Sequence, residues 1–375
     1  MVADRTACVL MTADTVGGVW THALELARGL AARGVGVHVA TMGALPSDAQ
    51  REAANVSGIA LHARAYRLEW MNEPWRSVHA AGDWLLALEA RIRPTVVHLN
   101  QYTFGALPFA APTLVVGHSC VLSWWRAVHG SEAPREWDRY RAAVRAGLAC
   151  ATLVGAPSAA MLAALREHHG FDGDGRVLPN GRSAGDFAPA VEKDPVVLAA
   201  GRLWDAAKNL AALEAVAPRL PWPIRVAGAL RSPGGATRTS SGVVALGELA
   251  PAAFAAELAR ASIFAAPARY EPFGQTALEA ALAGCALVLG DIESQRQIWG
   301  DAALFADPDD HDALHAALAG LIDDPRRCRT LAAAARTRAL AFSPRRMVDG
   351  YLAAYRWVAH GAPPGAGIGE VVCAS

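Results

Sequence analysis

The stretch Ala268-Arg-Tyr-Glu271-Pro-Phe-Gly274-Gln-Thr-Ala-Leu-Glu279 joins the end of a predicted strand to the start of a predicted helix. An apolar run at 262–266 precedes it, and a helical pattern begins near Gln275, after the Pro-Phe-Gly turn. The first N–H groups of a helix have no partner within the helix and carry partial positive charge. Because Gly274 has no Cβ, a ligand can approach closely, and the helix start predicts a phosphate or pyrophosphate site.

Two glutamates flank this helix start. Glu279 lies about one turn into the helix, where a carboxylate can accept hydrogen bonds from two vicinal hydroxyls such as those of a ribose. Glu271 precedes the helix, on the side where a sugar joined to the phosphate would lie. The other interpretation makes Glu271 a solvated loop residue and Glu279 a charge on the helix surface. This stretch alone leaves both interpretations open.

The rest of the chain repeats the same order of strand and helix. Predicted strands lie at 7–11, 35–41, 59–62, 96–99 and 113–117, and again at 196–200, 224–227, 243–246, 262–266 and 286–290. Helical patterns separate them, which indicates parallel sheets covered by helices on both faces. With 375 residues, 53% of them hydrophobic, the chain can fill two buried cores.

Turn-forming residues between 179 and 195 separate the two sets of strands. We therefore predict an α/β protein with two Rossmann-like, doubly wound domains, at 1–183 and 184–343, followed by a final helix at 344–360 and a flexible Gly/Pro-rich tail at 361–375. Ligands of such sheets bind beyond the carboxyl ends of the strands. The cleft between the two domains is therefore the expected site.

Two basic residues mark the first strand-to-helix loop of the second domain. Arg202 and Lys208 lie in Gly201-Arg-Leu-Trp-Asp-Ala-Ala-Lys208-Asn209, where a guanidinium fork and a compact ammonium can bind two phosphates. Solvated surface cations are the other interpretation. Lys193 and Lys208 are the only lysines in a chain that otherwise uses Arg, which favours a functional role for Lys208.

Two segments of the first domain point to the same cleft. Gly17 and Gly18 follow the first strand and begin a helix, so their N–H groups can approach a ligand, although a plain tight turn has the same pattern. His118 follows an apolar strand and suits a cleft residue. A hydrogen-bonded core histidine is the equally weighted alternative.

In this order the motifs resemble those of the retaining GT-B glycosyltransferases of the family 4 type (glycosyl transferases group 1), relatives of glycogen and sucrose synthases. The hallmark of that family is two glutamates eight apart in an E-P-F-G or E-G-F-G context, matched here by Glu271 and Glu279. The Gly17-Gly18 loop, His118, the Pro-Asn-Gly turn at 179–181, the Arg202–Lys208 segment and the Asp-Pro near 307 also occur in family order. The resemblance implies two domains facing across a cleft, with the C-terminal helix crossing back to the N-terminal domain.

The resemblance also implies roles for the site residues. Arg202 and Lys208 would bind the diphosphate of a nucleotide-diphospho-sugar donor, and Glu279 its ribose. Glu271 would contact the donor sugar, and His118 would lie near its reacting carbon. The implied catalytic residues are His118, Glu271, Arg202 and Lys208, and the donor site also takes in Gly17, Gly18, Phe273, Gly274, Gln275, Thr276 and Glu279.

Two glutamines depart from the family pattern. Gln275 stands where a small or apolar residue is common, and we expect it to alter the donor pocket. Gln297 stands where many relatives carry Glu, and we expect it to alter only a helix start.

The implied activity is transfer of a hexose, with retained configuration, to the hydroxyl of a carbohydrate or lipid-linked acceptor in polysaccharide, lipopolysaccharide or glycolipid biosynthesis. Domain 1–183 would form the acceptor side and domain 184–343 the donor side. Trp124 and Trp125, in a predicted loop after His118, are candidates for stacking on the acceptor, with plain packing as the alternative. A nucleotide-sugar epimerase, a phosphorylase and a non-catalytic nucleotide-sugar binder are the other functions of this fold that we consider. The phosphorylase would need a cofactor lysine.

Composition limits the partners and the compartment. Basic and acidic residues number 35 each, which argues against a nucleic-acid partner. We expect a cytoplasmic protein, at most peripherally associated with the inner face of a membrane, because the N-terminus lacks a signal-peptide pattern and no apolar run reaches the length of a membrane span. Asp172-Gly-Asp174 and Asp307-Pro-Asp309 match an Asp-x-Asp metal signature, but we interpret both as turns and expect no cofactor and no essential metal. The donor base, the sugar, the acceptor and the oligomeric state stay open.

Overall fold

Two fully parallel sheets organise the protein. The computed structural model describes residues 7–15, 17–232, 235 and 237–360. The first sheet has the strand order β3-β2-β1-β4-β5-β6-β7. Its strands are β1 (Cys8–Asp14), β2 (Gly36–Met42), β3 (Ala60–Ala63), β4 (Val96–Leu99), β5 (Thr113–Val116), β6 (Leu153–Ala156) and β7 (Gly175–Val177). We call this sheet and its helices the first domain.

The second sheet has the order β10-β9-β8-β11-β12-β13. Its strands are β8 (Asp194–Ala200), β9 (Ile224–Ala227), β10 (Val244–Gly247), β11 (Ala261–Ala266), β12 (Ala286–Gly290) and β13 (Leu304–Ala306). In both sheets the chain starts near the centre, winds outward to one edge, and returns to build the other half, as a doubly wound fold requires. We call the second sheet and its helices the second domain. The boundary at 183/184 itself stays a prediction.

Helices cover both faces of each sheet. The first domain contains α1 (Gly18–Ala31), α2 (Asp48–Asn55), α3 (Trp75–Ile92), α4 (Val121–His129), α5 (Asp138–Cys150) and α6 (Ala159–His169). The second contains α7 (Leu210–Val216), α8 (Pro251–Arg260), α9 (Gln275–Leu282), α10 (Glu293–Trp299), α11 (His311–Ile322) and α12 (Pro325–Ala339). The last helix is α13 (Pro344–His360). None of the helices among the described residues is both long and apolar enough to cross a membrane.

Burial on both faces explains why the strands are apolar runs without alternation. In β1, Leu10 packs into one cluster of buried residues, whereas Val9 and Met11 pack into the cluster on the other face. In β8, Leu198 and Val197 divide in the same way. Each sheet is therefore the middle layer of a three-layer domain, as the sequence predicted.

Three strands and four helices were missed from the sequence. The missed strands are β6, β7 and β13, with four residues or fewer each. Helix α2 is a polar helix that begins at a capping box formed by Ser47 and Gln50. Helix α4 corrects the loop predicted around Trp124, and α10 and α12 were also missed. The predicted tail at 361–375 lies outside the described residues.

The C-terminal helix crosses back to the first domain, as the family resemblance implied. Met347, Val348 and Tyr351 of α13 are buried in the same cluster as Val9 and Met11 of β1. Helix α1 lies so close to α13 that a Cβ built on Gly29 would be 2.3 Å from Val348 Cγ2. The chain therefore passes between the two domains twice.

The two passages of the chain touch each other at Gly181. The N–H of Arg182 donates to the carbonyl of Phe342 at 3.0 Å. A Cβ built on Gly181 would lie 2.5 Å from the carbonyl oxygen of Ser343. Only a residue without a side chain fits this crossing.

We expect Gly181→Ala to destabilise the protein, because the added methyl group must push two backbone segments apart. Overpacking of this kind costs about 1–3 kcal/mol, so the thermal unfolding midpoint should fall by several degrees. Gly185→Ala is the matched control in the same linker, since its nearest neighbour would be Ser183 Oγ at an ordinary 3.6 Å. Equal midpoints for the two variants would contradict this account of the crossing.

Candidate active site

The carboxyl ends of the two sheets face each other, and the loop after β11 touches both domains. The hydroxyl of Tyr270 accepts a hydrogen bond from the N–H of Cys120 at 2.9 Å. The hydroxyl of Ser158, at the start of α6, donates to the carbonyl of Pro272 at 2.7 Å. The loop that carries Glu271 is thus held against the first domain on one side and opens helix α9 on the other.

The start of α9 is rigidly built. Gly274 has φ 88°, a left-handed conformation that glycine adopts without strain. Its N–H donates to Glu271 Oε1 at 3.0 Å. The side chain of Gln295 donates to the carbonyls of Glu271 and Phe273, so two loop carbonyls are satisfied from helix α10. This loop and the helix start can therefore meet an anion with little rearrangement.

Glu271 and Lys208 form an ion pair at the mouth of a small cavity. Thr276, at the start of α9, lines the same cavity. The Lys208 stem lies 3.6 Å from where a Cβ would stand on Gly201. The sequence therefore identified residues that the fold does bring together. The Lys208–Glu271 pair itself was not foreseen, since we had assigned the two residues to different halves of the donor.

Glu279 is buried within α9, with 7% of its surface exposed. The guanidinium of Arg182 pairs with it, with 2.9 Å between Arg182 Nε and Glu279 Oε1. Burial raises the pKa of Glu279 to about 7, against the opposing effect of Arg182. The interpretation as a solvated helix-surface charge is therefore wrong, because Glu279 is buried and paired with Arg182.

The two glycines of the first domain lie opposite the start of α9. Gly17 has φ 79° and immediately precedes α1. A Cβ on Gly18 would stand 3.6 Å from the Gln275 side-chain oxygen. The N-termini of α1 and α9 thus converge across the cleft, one from each domain, and Gln275 lies between them. A ligand phosphate at this point would meet two positive helix ends.

Arg202 is paired with Asp205 in this structure. Its guanidinium donates to Asp205 Oδ2 at 3.0 Å and lies 5.7 Å from the Trp204 ring centre. With 41% of its side chain exposed, Arg202 is more accessible than Lys208. The other lysine of the chain has a structural task, because Lys193 donates to the carbonyl of Ala283 at the end of α9, at 2.6 Å.

His118 lies next to Asn100, at the ends of the neighbouring strands β5 and β4. The Asn100 amide nitrogen donates to the carbonyl of Thr12 at 2.6 Å, which orients the amide and turns its oxygen towards His118. His118 Nε2, 2.8 Å from that oxygen, must therefore carry the proton. Burial lowers the pKa of His118 to about 4, so the imidazole is neutral at pH 7 and is unsuited to general acid catalysis.

Trp124 contacts the second domain. Its indole N–H donates to Asp205 Oδ1 at 2.9 Å, and Asp205 also receives the guanidinium of Arg202. Trp125 packs against His129, with 4.4 Å between the ring centres. Both tryptophans lie on helix α4, not on the predicted loop, and Trp124 links the domains. A role of either in acceptor binding stays a prediction.

One further prediction changes with the structure. Gln297 lies inside α10 and not at a helix start, and its side-chain oxygen accepts the N–H of Ala160 at 2.9 Å, which links α10 to α6 across the cleft. Asp309, in the second Asp-x-Asp sequence, pairs with Arg269. Whether the protein needs a metal stays a prediction.

Two family models match the chain in tandem. The model of glycosyltransferase family 4 matches residues 16–184. The model of glycosyl transferases group 1 matches residues 186–338. Together they cover every strand of both sheets except β1. The chain belongs to the family 4 glycosyltransferases.

Solved structures show that this glycosyltransferase has the GT-B fold. It is similar to the sucrose-phosphate synthase of Thermosynechococcus elongatus, with a TM-score of 0.78 at 20% identity over 96% of this chain and 100% of that one. It is also similar to HepE of Anabaena, solved with UDP and glucose, with a TM-score of 0.71 at 16% identity over 93% of this chain and 99% of that one. At these identities the likeness shows the fold alone.

Among curated proteins, the glycogen synthase of Mycobacterium tuberculosis is 41% identical over 83 residues. The match covers 22% of this glycosyltransferase and 20% of the synthase, so it spans about a fifth of the curated relative.

Several residues of the glycosyltransferase site were missed from the sequence. Arg182 directly follows the Pro-Asn-Gly turn, but nothing local indicates that it reaches Glu279. Asn100 directly follows β4, the strand next to β5, so a correct strand order would have placed Asn100 beside His118. Asp205 and Glu25 become part of the site only through contacts with other segments, Asp205 with Trp124 and Glu25 with Arg182, and the sequence does not indicate these contacts.

The buried carboxylate predicts a pH dependence of stability. Since folding raises the pKa of Glu279 from 4.5 to about 7, the folded protein keeps a proton that the unfolded chain releases, and stability from this group is lost as pH rises through that window. As the pH is raised from 5 to 8, the free energy of unfolding of Glu279→Gln should increase relative to that of wild type by on the order of 1–3 kcal/mol. Urea unfolding measures it, with the exposed Glu52→Gln as the charge control. An equal gain in both variants would contradict the assignment.

The hydrogen bond from Trp124 to Asp205 predicts that removing the indole N–H lowers the free energy of unfolding. Trp124→Phe keeps the ring but not the bond to Asp205, and a hydrogen bond to a charged group contributes about 1.5–3 kcal/mol. Trp137→Phe is the matched control, because the buried indole nitrogen of Trp137 has no partner in the part of the chain that the structure describes. If the two variants unfold at the same urea concentration, Trp124 is packing only.

Proposed function

We propose that this protein transfers a hexose from a nucleotide-diphospho-sugar to an acceptor hydroxyl with retention of configuration at the reacting carbon. The observation that carries the proposal is the convergence of two helix N-termini and Lys208 on one cleft. We assign Glu279 in that cleft to the ribose of the donor and Glu271 to its sugar. The family assignment and the UDP and glucose bound in HepE support the same class of donor.

The geometry supplies charge where the reaction develops it. When the bond from the sugar carbon to the phosphate oxygen breaks, negative charge builds on the diphosphate. The N-termini of α9 and α1 and the ammonium of Lys208 face that position. Arg202 can join them if it leaves Asp205, and 41% of its side chain is exposed, so packing does not prevent that movement. Positioning and electrostatics then account for the rate, without a covalent group from the protein.

We propose attack by the acceptor on the same face from which the diphosphate leaves. The acceptor oxygen forms a bond to the sugar carbon, the bond to the phosphate oxygen breaks, and the acceptor proton passes to that phosphate oxygen. His118 takes no proton in this scheme, since burial keeps its pKa about 4 and its Nε2–H is already donated to Asn100. His118 instead presents a neutral, fixed ring beside the sugar.

The two glutamates should separate in binding experiments. Glu279→Ala should weaken binding of the free nucleoside diphosphate and of the intact donor alike, by about ten- to a hundred-fold, since it removes a hydrogen-bond acceptor for the ribose. Glu271→Ala should leave affinity for the free diphosphate equal or higher, because Lys208 is released from its ion pair, while turnover and discrimination between donor sugars fall. Calorimetric titration of both variants with UDP, GDP or ADP and the matching donor measures the difference. Equal weakening of the bare diphosphate would refute this division.

We also propose that transfer needs no divalent metal, because Lys208 and the helix ends already supply positive charge at the diphosphate. Activity should therefore persist in EDTA. A loss on chelation that Mg²⁺ or Mn²⁺ restores would refute the proposal. A second candidate, the non-catalytic nucleotide-sugar binder, predicts nucleotide binding with neither transfer nor donor hydrolysis, and the same assay tests it.

A further inference from the structure

Arg182 joins three parts of the molecule at the proposed ribose site. Its Nε lies 2.9 Å from Glu279 Oε1 on α9 of the second domain. Its Nη1 lies 3.1 Å from Glu25 Oε2 on α1 of the first domain. Arg182 itself belongs to the linker, next to the tight crossing at Gly181. One guanidinium therefore bridges both domains and the hinge between them.

This bridge is shielded from water. The side chains of Arg182, Glu25 and Glu279 are exposed by only 14%, 12% and 9%. The guanidinium also lies 5.0 Å from the ring centre of Phe187, stacked beside the linker. Ion pairs on a surface contribute little, but breaking a buried one leaves an unpaired charge and is costly. Arg182 Nε meets Glu279 Oε1 as an ion pair, without the alignment of a hydrogen bond, so charge is what joins the two residues.

Negative charge exceeds positive charge around Arg182. Glu25 and Glu279 pair with this guanidinium, the exposed Asp186 raises the pKa of both glutamates, and Arg28 acts on Glu25 from one turn further along α1. The Gln275 side chain is the remaining polar partner of Glu279. Glu25 and Glu279 thus share one cation, and what one carboxylate gains from Arg182 the other loses.

We propose that Arg182 is a positioning residue, which favours the carboxylate form of Glu279 and keeps it turned towards the ribose of the nucleotide, and which through Glu25 makes the approach of the two domains part of the ribose site. This inference rests on the proposed function. It goes beyond that function because it explains how a buried carboxylate can accept hydrogen bonds from ribose hydroxyls. A protonated Glu279 would offer one fewer acceptor site and would compete as a donor.

The proposal predicts opposite pH shifts for the two ends of the bridge. Arg182 lowers the pKa of Glu279 against the larger effect of burial. Arg182→Gln should therefore raise that pKa further, so that nucleotide binding is lost at a higher pH than in wild type. Glu25→Gln removes the competitor for Arg182, so binding should persist to a lower pH. In Arg182→Lys the pKa of Glu279 should lie between its values in wild type and in Arg182→Gln, since an ammonium lacks the fork that spans two carboxylates.

The experiment has two readouts. The first is a ¹³C carboxyl NMR titration of Glu279 in each variant, which needs no nucleotide. The second is calorimetry with whichever of UDP, GDP and ADP binds wild type, and with its 2′-deoxy form, at several pH values. Wild type should prefer the ribose form by about tenfold or more, and Arg182→Gln should reduce that preference. Arg33→Gln is the control, because Arg33 makes an exposed ion pair with Asp349 between α1 and α13.

The outcomes are distinguishable. A Glu279 titration that does not move in Arg182→Gln overturns the inference. So does an equal loss of affinity for ribose and deoxyribose forms with no pH shift, which is the signature of an arginine that only holds the domains together. If Glu279 titrates as expected but wild type binds none of the three nucleotides, the proposed function is wrong, and the role of Glu279 in ribose binding is wrong with it. Opposite shifts for Arg182→Gln and Glu25→Gln, with reduced ribose preference in Arg182→Gln, establish the positioning role.

Discussion

A carboxylate buried in helix α9 has to be compensated, and much of the site follows from that constraint. Glu279 is almost wholly removed from water, and Arg182 supplies the opposite charge. Because Arg182 belongs to the linker and also binds Glu25, the pair ties α9, the hinge and α1 together. The relative position of the two domains is thus connected to the residue proposed to bind the nucleotide. An ion pair in this position serves geometry more than stability, since its desolvation offsets most of its Coulomb attraction.

The same logic applies at the diphosphate end of the cleft. Lys208 and Arg202 are paired with Glu271 and Asp205 in this structure, and a phosphate would compete with those carboxylates. The two cations are therefore already in the cleft before a phosphate binds, and each has a carboxylate partner until then. The loop between β11 and α9 is fixed by Gln295 from one side and by Ser158 from the other, so the helix start keeps its place whichever partner the cations have.

Polar contacts between the domains surround this cleft. Trp124 reaches Asp205, and Gln297 reaches the start of α6. These are single hydrogen bonds, which form and break more readily than an apolar interface. They join helices that belong to different sheets, so each could only be recognised once both domains were in place. Trp124, a candidate for stacking on the acceptor, and Gln297, expected to alter a helix start, both take part in these contacts between the domains.

What the sequence determined by itself was the pattern carried by local chemistry. Apolar runs alternating with helical stretches predicted two doubly wound domains, and the motif from Glu271 to Glu279, with Lys208, Gly17, Gly18 and His118, indicated the family and most of the site. These signals survive because strand burial, helix starts and glycine turns depend on neighbours in the chain. The three-residue strand β7 was missed, since so few residues give no clear period, and α4 was missed because the helical position of its tryptophans depends on packing.

The tertiary structure alone decided which charges meet. Arg182 lies 97 residues before Glu279 and 157 after Glu25, and no spacing rule connects them. The tautomer of His118 depends on Asn100 and Thr12, which lie on neighbouring strands. The burial that raises the pKa of Glu279 depends on how α9 packs within the whole fold. Pattern and propensity act over a few residues, whereas electrostatic partners and burial are set by the fold as a whole, and only the assembled cleft could show them.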